Sequence, residues 1–203
     1  MTYYTDIITG KSWELLKKLK KSYEFILIGG WAVYLYTRVL KSKDIDVVVE
    51  YEQLERLKQE FELSKNERLK KYEARVEELQ IDIYLPFYSN PGIPAEKIEE
   101  YTVLVEGFRL PAVELLAILK QKAFVERVRS TKGRKDLVDL VSLFRLPGFK
   151  WSKYKAMVEK YQLTEQAQKV SGLIDETKEI NELDLNVHKF LRIKKQFGFF
   201  KVD

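Results

Sequence analysis

Three aspartates in the first half of the chain have the residue type and spacing to bind divalent cations. Asp44 and Asp46 stand two residues apart in the run DIDVVV, and alternation along a strand puts both side chains on one face. Two carboxylates this close repel each other unless they are solvated or bound to cations. Asp82 interrupts a second alternating run, QIDIYL, of high strand propensity. Three carboxylates on neighbouring strands would form an oxygen-ligand site for hard cations.

A glycine pair precedes these aspartates and is placed to bind phosphate. The apolar run at residues 25–28 predicts a buried strand that stops at Gly29 and Gly30. Helical spacing of apolar residues then begins at Trp31, so we expect a short helix whose first backbone N–H groups face the turn. Such a helix start suits a polyphosphate. An Asp-x-Asp pair alone is common on surface strands, but the glycine pair before it and the Asp82 strand after it favour a site.

Composition limits the chemistry that this chain can perform. There is no cysteine and one histidine, which excludes disulfides, thiolate metal sites and His-based zinc sites and disfavours Ser-His catalysis. No run of 18 apolar residues occurs and the first residues lack signal-peptide features, so we expect a soluble cytoplasmic protein without membrane contact. The net charge of +5 favours a polyanionic partner.

The periodicity of apolar residues predicts a mixed α/β fold in two domains. A mixed β-sheet flanked by helices is expected in residues 1–110, and a C-terminal helical domain in residues 111–203. The expected elements of the first domain, besides those named above, are helices at 11–22 and 52–61, a polar loop at 64–71, and hairpins at 73–85 and 101–110. In the second domain a long helix is expected from Pro111. Cationic and aromatic residues alternate at 189–201, a mixture that either grips nucleic acid or docks the tail onto the core.

Together these residues resemble the signature of the polymerase-β-like nucleotidyltransferase superfamily, with Gly29-Gly30, Asp44-x-Asp46 and Asp82 at the matching positions. Further along, Lys120 and the run GRKDLVDL at 133–140 are similar to motifs of the abortive-infection toxin nucleotidyltransferases, the AbiEii-type or type IV toxins. The resemblance covers about residues 23–145. Many members have Gly-Ser where this chain has two glycines, so backbone N–H groups alone would replace a serine hydroxyl contact to phosphate.

The resemblance implies transfer of a nucleoside monophosphate from a nucleoside triphosphate (NTP) to a hydroxyl acceptor. Asp44, Asp46 and Asp82 would hold two Mg²⁺ ions, with Mn²⁺ as an alternative, and act as the catalytic residues. The residues implied to contact the nucleotide are Gly29, Gly30, Lys43, Lys120, Arg134 and Asp136. From the residues alone, Lys120 fits a snorkelling surface lysine equally well, and Asp136 could cap its helix or pair with Arg134.

The basic charge and the toxin-like motifs favour an RNA end, such as a tRNA acceptor stem, as the acceptor, and a toxin of this kind would have an antitoxin protein as its partner.

Two alternatives stay open. A non-catalytic nucleotide-binding or toxin–antitoxin interaction module would have the same fold, although three intact carboxylates argue against it. A glycosyltransferase also uses Asp-x-Asp with a metal, although the glycine turn and the small size argue against that.

Overall fold

The helices and strands fall into two compact units, one ending at Ala112 and the other beginning at Val113. The architecture comes from a computed structural model, which describes residues 5–183, 185 and 187–197. Among these residues no helix combines the length and the apolar character needed to cross a bilayer.

The N-terminal unit contains a seven-stranded mixed sheet with the strand order β3-β4-β5-β2-β1-β7-β6. Its elements in chain order are α1 (Asp6–Ser22), β1 (Ile26–Ile28), α2 (Gly29–Thr37), β2 (Ile45–Val48), α3 (Tyr51–Glu60), β3 (Leu63–Asn66), β4 (Lys71–Val76), β5 (Leu79–Tyr84), β6 (Thr102–Val105) and β7 (Phe108–Pro111). Two single-turn 3₁₀ helices, Ala95–Lys97 and Glu99–Tyr101, precede β6. The fold class predicted from the sequence is confirmed.

Alternation along the central strands separates an apolar face of the sheet from a polar one. Ile45 and Val47 on β2, and Ile81 and Ile83 on β5, are buried. Asp46 and Asp82 lie between these apolar residues in the sequence and therefore point to the opposite face. Burial of the apolar side chains thus fixes the direction in which both carboxylates project.

Both predicted hairpins are confirmed, but the predicted loop at 64–71 is wrong. β4 pairs with β5, and β6 pairs with β7, both antiparallel. The missed strand β3 pairs with β4 along one edge of the sheet. It is polar and mostly solvent-exposed, so it lacks the apolar alternation that reveals a buried strand.

The C-terminal unit is helical, as predicted. Its elements are α4 (Val113–Arg127), α5 (Thr131–Phe144), α6 (Trp151–Lys160), α7 (Thr164–Glu176), a 3₁₀ turn (Asn181–Leu183) and α8 (Val187–Phe197). The helix expected from Pro111 begins at Val113 instead, because Pro111 ends β7 and its carbonyl accepts the Tyr36 hydroxyl at 2.9 Å.

In the predicted cationic and aromatic tail, Phe190 is fully buried, which agrees with docking of that part of the tail onto the core. Residues 198–203 of this segment lie outside the described residues.

Candidate active site

Asp46 and Asp82 lie side by side on the central strands of the N-terminal sheet. β2 and β5 are parallel, and Asp46 is the register partner of Asp82. Across the other edge of β2, Asp46 is the register partner of Ile28, the residue directly before Gly29. Neighbouring strands are about 4.8 Å apart, so the two carboxylates share one small region of the polar face. The predicted proximity of the two aspartates and the glycine turn is therefore confirmed.

Gly29 is shaped by its contact with Asp46. Its φ of +68° lies in the left-handed region, which favours glycine. A Cβ atom at this position would lie 2.0 Å from Oδ2 of Asp46, so no other residue fits without displacing the carboxylate. Gly29 is also the first residue of α2, and no side chain caps the N-terminus of that helix. The glycine thus brings the start of α2 against the Asp46 carboxylate.

Asp44 and Lys43 lie in the bend that leads into β2, and both are partly buried. Asp44 is outside the strand by one residue, since β2 begins at Ile45. It stands two positions before Asp46 and so adds a second carboxylate near the start of the strand.

Glu73 extends the line of carboxylates to a third strand. It is the register partner of Asp82 in the antiparallel β4–β5 pair. We call Asp46, Asp82 and Glu73, which lie side by side on β2, β5 and β4, the carboxylate row. The side chains of Asp82 and Glu73 keep 13% and 23% of their surface exposed.

One lysine, Lys71, serves two members of this row. Its Nζ atom lies 2.6 Å from Oδ2 of Asp82 and 3.1 Å from Oε1 of Glu73. The amide of Gln80 donates to Oδ1 of Asp82 at 2.7 Å, so both oxygens of this carboxylate are engaged. Burial would lower the pKa of Lys71, but the attraction of Asp82 and the bonds to Asp82 and Glu73 raise it above the usual lysine value. Lys71 is therefore a cation at neutral pH.

A divalent ion fits part of this arrangement. Among the described residues no group of three or more acidic or histidine side chains is arranged to hold a metal ion. Mg²⁺ is commonly held by one or two carboxylates together with substrate phosphates and water. Asp44 and Asp46 supply hard oxygen donors of this kind at the start of β2, whereas Asp82 is already neutralised by Lys71. The donor set fits an ion that is completed by a bound substrate.

A separate concavity lies at the opposite end of β1 and β2. This cavity, of about 130 Å³, is lined by residues that include Ile26, Val48 and Arg109. Its acidic lining residues are Glu24, Glu50, Glu52, Glu96 and Glu99. Because these carboxylates outnumber the single arginine, the cavity would repel a triphosphate.

The C-terminal unit contains its own group of buried charges. Lys120 on α4 lies 3.3 Å from Oδ1 of Asp136 and 2.7 Å from Oδ2 of Asp139, both on α5. Arg127 donates two hydrogen bonds to Asp136, at 2.5 and 3.0 Å, and Lys135 lies 3.2 Å from Asp139. We call these five residues the charge cluster. Burial would raise the pKa of Asp136, but Lys120 and Arg127 outweigh this effect and hold it below the usual aspartate value.

One protein family matches part of the N-terminal unit. Residues 8–90 match the model of a family described as "Nucleotidyltransferase of unknown function (DUF6036)". The match lies within the N-terminal unit, spans 83 of the 203 residues and agrees with the predicted resemblance to the polymerase-β-like nucleotidyltransferase superfamily. No match was found among curated protein sequences. The closer relation to the AbiEii-type toxins stays a prediction.

Two solved structures share the fold along nearly the whole chain. The JHP933 protein of Helicobacter pylori matches with a TM-score of 0.56 and 16% identity, covering 97% of this chain and 92% of its own. A second Helicobacter pylori protein, provisionally described as a nucleotidyltransferase, matches with a TM-score of 0.54 and 14% identity, covering 97% of this chain and 96% of its own. At these identities the likeness concerns the fold.

The predicted nucleotide-contact residues fall into two groups. Gly29, Gly30 and Lys43 belong to the N-terminal unit together with the aspartates. Lys120 and Asp136 contact each other in the charge cluster, whereas Arg134 pairs with Glu182 at 2.9 and 2.7 Å. The suggestion that Asp136 pairs with Arg134 is wrong, because Arg127 takes that place. A triphosphate contact by these three residues stays a prediction.

Sequence reasoning missed Lys71 and Glu73. The length of the β4–β5 turn, which consists of Glu77 and Glu78, would have predicted their position. A two-residue turn fixes the register of a hairpin and so places residue 73 opposite residue 82. Neither turn residue is glycine or asparagine, which are the usual markers of such a turn.

Proposed function

We propose that this protein transfers a nucleoside monophosphate from an NTP to a hydroxyl acceptor in a metal-dependent reaction. The observation that supports this proposal is the contact of Gly29 with Asp46. This contact brings together the start of α2, which has no side-chain cap, and the carboxylates of Asp46 and Asp82, which are register partners. Phosphate needs the first feature and a divalent cation needs the second.

The triphosphate would bind at the start of α2. Backbone N–H groups of a first helical turn attract anions, and this first turn contains no acidic side chain. Gly29 and Gly30 provide backbone without side chains at this point, and Lys43 is the nearest predicted cationic contact in sequence. The β- and γ-phosphates would occupy this region, and the α-phosphate would lie towards Asp46.

Asp44 and Asp46 would hold the cation, and Asp82 would join them as a ligand when nucleotide is bound and would also serve the acceptor. Bound Mg²⁺ lowers the pKa of an acceptor hydroxyl and neutralises the leaving pyrophosphate. The hydroxyl oxygen forms a bond to the α-phosphorus, and the bond from that phosphorus to the bridging oxygen of the β-phosphate breaks. Asp82, the register partner of Asp46, would accept the hydroxyl proton.

For the acceptor we propose an RNA end, with a tRNA acceptor stem as the first candidate. The chain carries a net charge of +5, which favours a polyanionic acceptor over a small cationic one. The toxin-like residues Lys120, Arg134 and Asp136 agree with a toxin that acts on RNA and is held by an antitoxin protein.

A non-catalytic nucleotide-binding module is the second candidate. The observation that favours it is the ion pair between Lys71 and Asp82, which neutralises one of the three aspartates without any metal. A binding module would keep the helix start and the fold but would not transfer the nucleotide.

The experiment is a labelling assay with the full chain, total RNA, Mg²⁺ and each of the four NTPs labelled at the α-phosphate. An Asp44→Ala/Asp46→Ala double variant is the control. We expect label in RNA with the wild type alone, and the labelled NTP names the base. Label in protein or in a small molecule would replace RNA as the acceptor. Nucleotide binding without any labelled product would favour the binding module.

A further inference from the structure

Lys71 forms an ion pair with Asp82, one of the carboxylates predicted to bind the metal. It is 8% exposed in its side chain and lies against the third aspartate of the predicted metal set. The bond of 2.6 Å to Asp82 is its shorter contact, and the amide of Gln80 holds the other oxygen of that carboxylate. In the absence of metal, Asp82 is thus fixed by a cation that belongs to the protein itself.

Glu73 gives Lys71 a second partner on its own strand. Its Oε1 atom lies 3.1 Å from the ammonium group and also accepts a hydrogen bond of 2.9 Å from Asn66. Because Glu73 and Asp82 are register partners, a small shift of the ammonium group from one to the other keeps it paired. The lysine can therefore leave Asp82 without becoming a buried unpaired charge, which would be costly.

The charges around this lysine make such an exchange favourable. Asp46, Asp82 and Glu73 lie side by side, and Lys71 contacts Asp82 and Glu73. A divalent ion at Asp46 would attract Asp82 and repel the ammonium group. Asp82 would turn towards the ion, and the ammonium group of Lys71 would move away from it, towards Glu73.

We propose that Lys71 is a positioning residue that holds Asp82 in the free protein and passes to Glu73 when a divalent ion and a nucleotide bind together. This inference rests on the proposed metal-dependent function. Asp82 becomes a metal ligand only when the ion and the nucleotide together compete with the lysine. The metal-free, nucleotide-free protein binds divalent ions weakly as a result, because Asp44 and Asp46 act without their third partner.

The test measures Mn²⁺ binding, by the electron paramagnetic resonance signal of the free ion, without nucleotide and with a non-hydrolysable NTP analogue. Lys71→Gln removes the competing cation and is expected to bind Mn²⁺ about tenfold more tightly than the wild type without nucleotide. The analogue should tighten Mn²⁺ binding strongly in the wild type and much less in Lys71→Gln.

Lys70→Gln is the matched control. Lys70 is adjacent and exposed, and its ammonium group lies 3.2 Å from Glu67 instead of the carboxylate row. This variant loses the same formal charge, so its Mn²⁺ affinity should equal that of the wild type. Equal gains in Lys70→Gln and Lys71→Gln would overturn the proposal, because net charge would then explain both.

A second variant tests the same idea in the opposite direction and does not depend on the folding of Lys71→Gln. Glu73→Gln leaves Lys71 with Asp82 as its carboxylate partner within the row. We expect about threefold weaker Mn²⁺ binding in the presence of the NTP analogue, where the exchange takes place. Unchanged or tighter binding would contradict an exchange through Glu73.

The outcomes separate this inference from the function on which it rests. If the wild type binds Mn²⁺ with the analogue but Lys71→Gln binds it no better than the wild type, the role of Lys71 is wrong and the proposed function stands. If the wild type binds no Mn²⁺ with or without the analogue, the metal-dependent function fails, and the inference fails with it.

Discussion

In the charge cluster two aspartates meet three cations, and each aspartate is 1% exposed. In the carboxylate row Lys71 contacts two of the three acids, Asp82 and Glu73, which keep 13% and 23% of their side chains exposed. Buried charges are tolerated where they are balanced, because an unpaired one pays a large desolvation cost. The surplus of negative charge in the sheet lies where solvent or a ligand can reach it. The comparison separates a group of charges that holds a fold together from one that is available for binding.

The two groups also arise from the sequence in different ways. Lys135, Asp136 and Asp139 come from neighbouring turns of α5, where residues three or four apart share one side of a helix. The carboxylate row combines residues from β2, β4 and β5 through strand register. Short-range spacing builds the cluster, and long-range pairing builds the row.

Replacement of Asp136 by Asn should have the largest effect and should act on stability. It removes the carboxylate that pairs with Arg127 and leaves Lys120 with Asp139 alone, and breaking such a buried pair costs about 3–5 kcal/mol in the free energy of unfolding. Chemical denaturation of the full chain at neutral pH measures this loss. The control Glu126→Gln changes an exposed acid on α4 whose nearest ion-pair contact, Lys122, is 3.9 Å away, and it should change stability by less than about 0.5 kcal/mol. Equal stability of Asp136→Asn and the wild type would remove the structural role of the cluster.

Replacement of Asp46 by Asn should reduce nucleotide transfer at least about a hundredfold, which corresponds to about 2.7 kcal/mol in the activation barrier. The change removes the charge but keeps the shape beside Gly29, so the melting temperature should stay close to that of the wild type. The labelling assay and a thermal melt on the same sample measure both quantities. If the variant retains transfer, or loses it only because the protein unfolds, the carboxylate row has a structural role like that of the charge cluster.

Replacement of Gly29 by Ala should reduce both stability and transfer. The left-handed backbone costs a residue with a side chain about 1–3 kcal/mol, and the added Cβ meets the Asp46 carboxylate. Gly148→Ala is a suitable control, because a Cβ there would meet no atom within 4 Å. Wild-type transfer by Gly29→Ala would show that the close contact with Asp46 is not needed.

The smallest effect is a pH dependence that belongs to the cluster. The pKa of Asp136 lies below its unfolded value of about 3.9, so its stabilising contribution is complete above that pH. It is lost as the pH falls through the lower folded pKa. The stability difference between the wild type and Asp136→Asn should therefore be constant at pH 6–7 and shrink below about pH 4. Denaturation curves across this range check the trend, and a difference that grows towards acid pH would reverse the assigned sign.

Much of the N-terminal sheet could be predicted because its central strands have an apolar face. Ile81 and Ile83 place Asp82 on the other face, and the same argument applies to Asp46. The edge strand β3 carries no such pattern, since neither of its faces is well buried. Apolar periodicity therefore reveals the strands that form the core and not those at the edge.

Partners of charged residues were harder to predict than the strands that carry them. Arg134 is two residues from Asp136 on α5, but its carboxylate partner is Glu182, which is 48 residues away in sequence. Lys71 is the last residue of the predicted polar loop at 64–71, and its neighbour Lys70 is indeed exposed. Strand alternation turns one of two adjacent lysines inward, and only the position of β4 decides which one.

The two-residue turn at Glu77 and Glu78 carries a consequence for how the chain tolerates insertions and deletions. Surface turns usually accept a change of length, but a one-residue change here would shift β5 against β4 and invert the faces of the shifted strand. Asp82 would enter the apolar layer and Ile81 or Ile83 would face solvent. A single codon gained or lost at this exposed point would thus remove a carboxylate from the site and a hydrophobic side chain from the core at the same time.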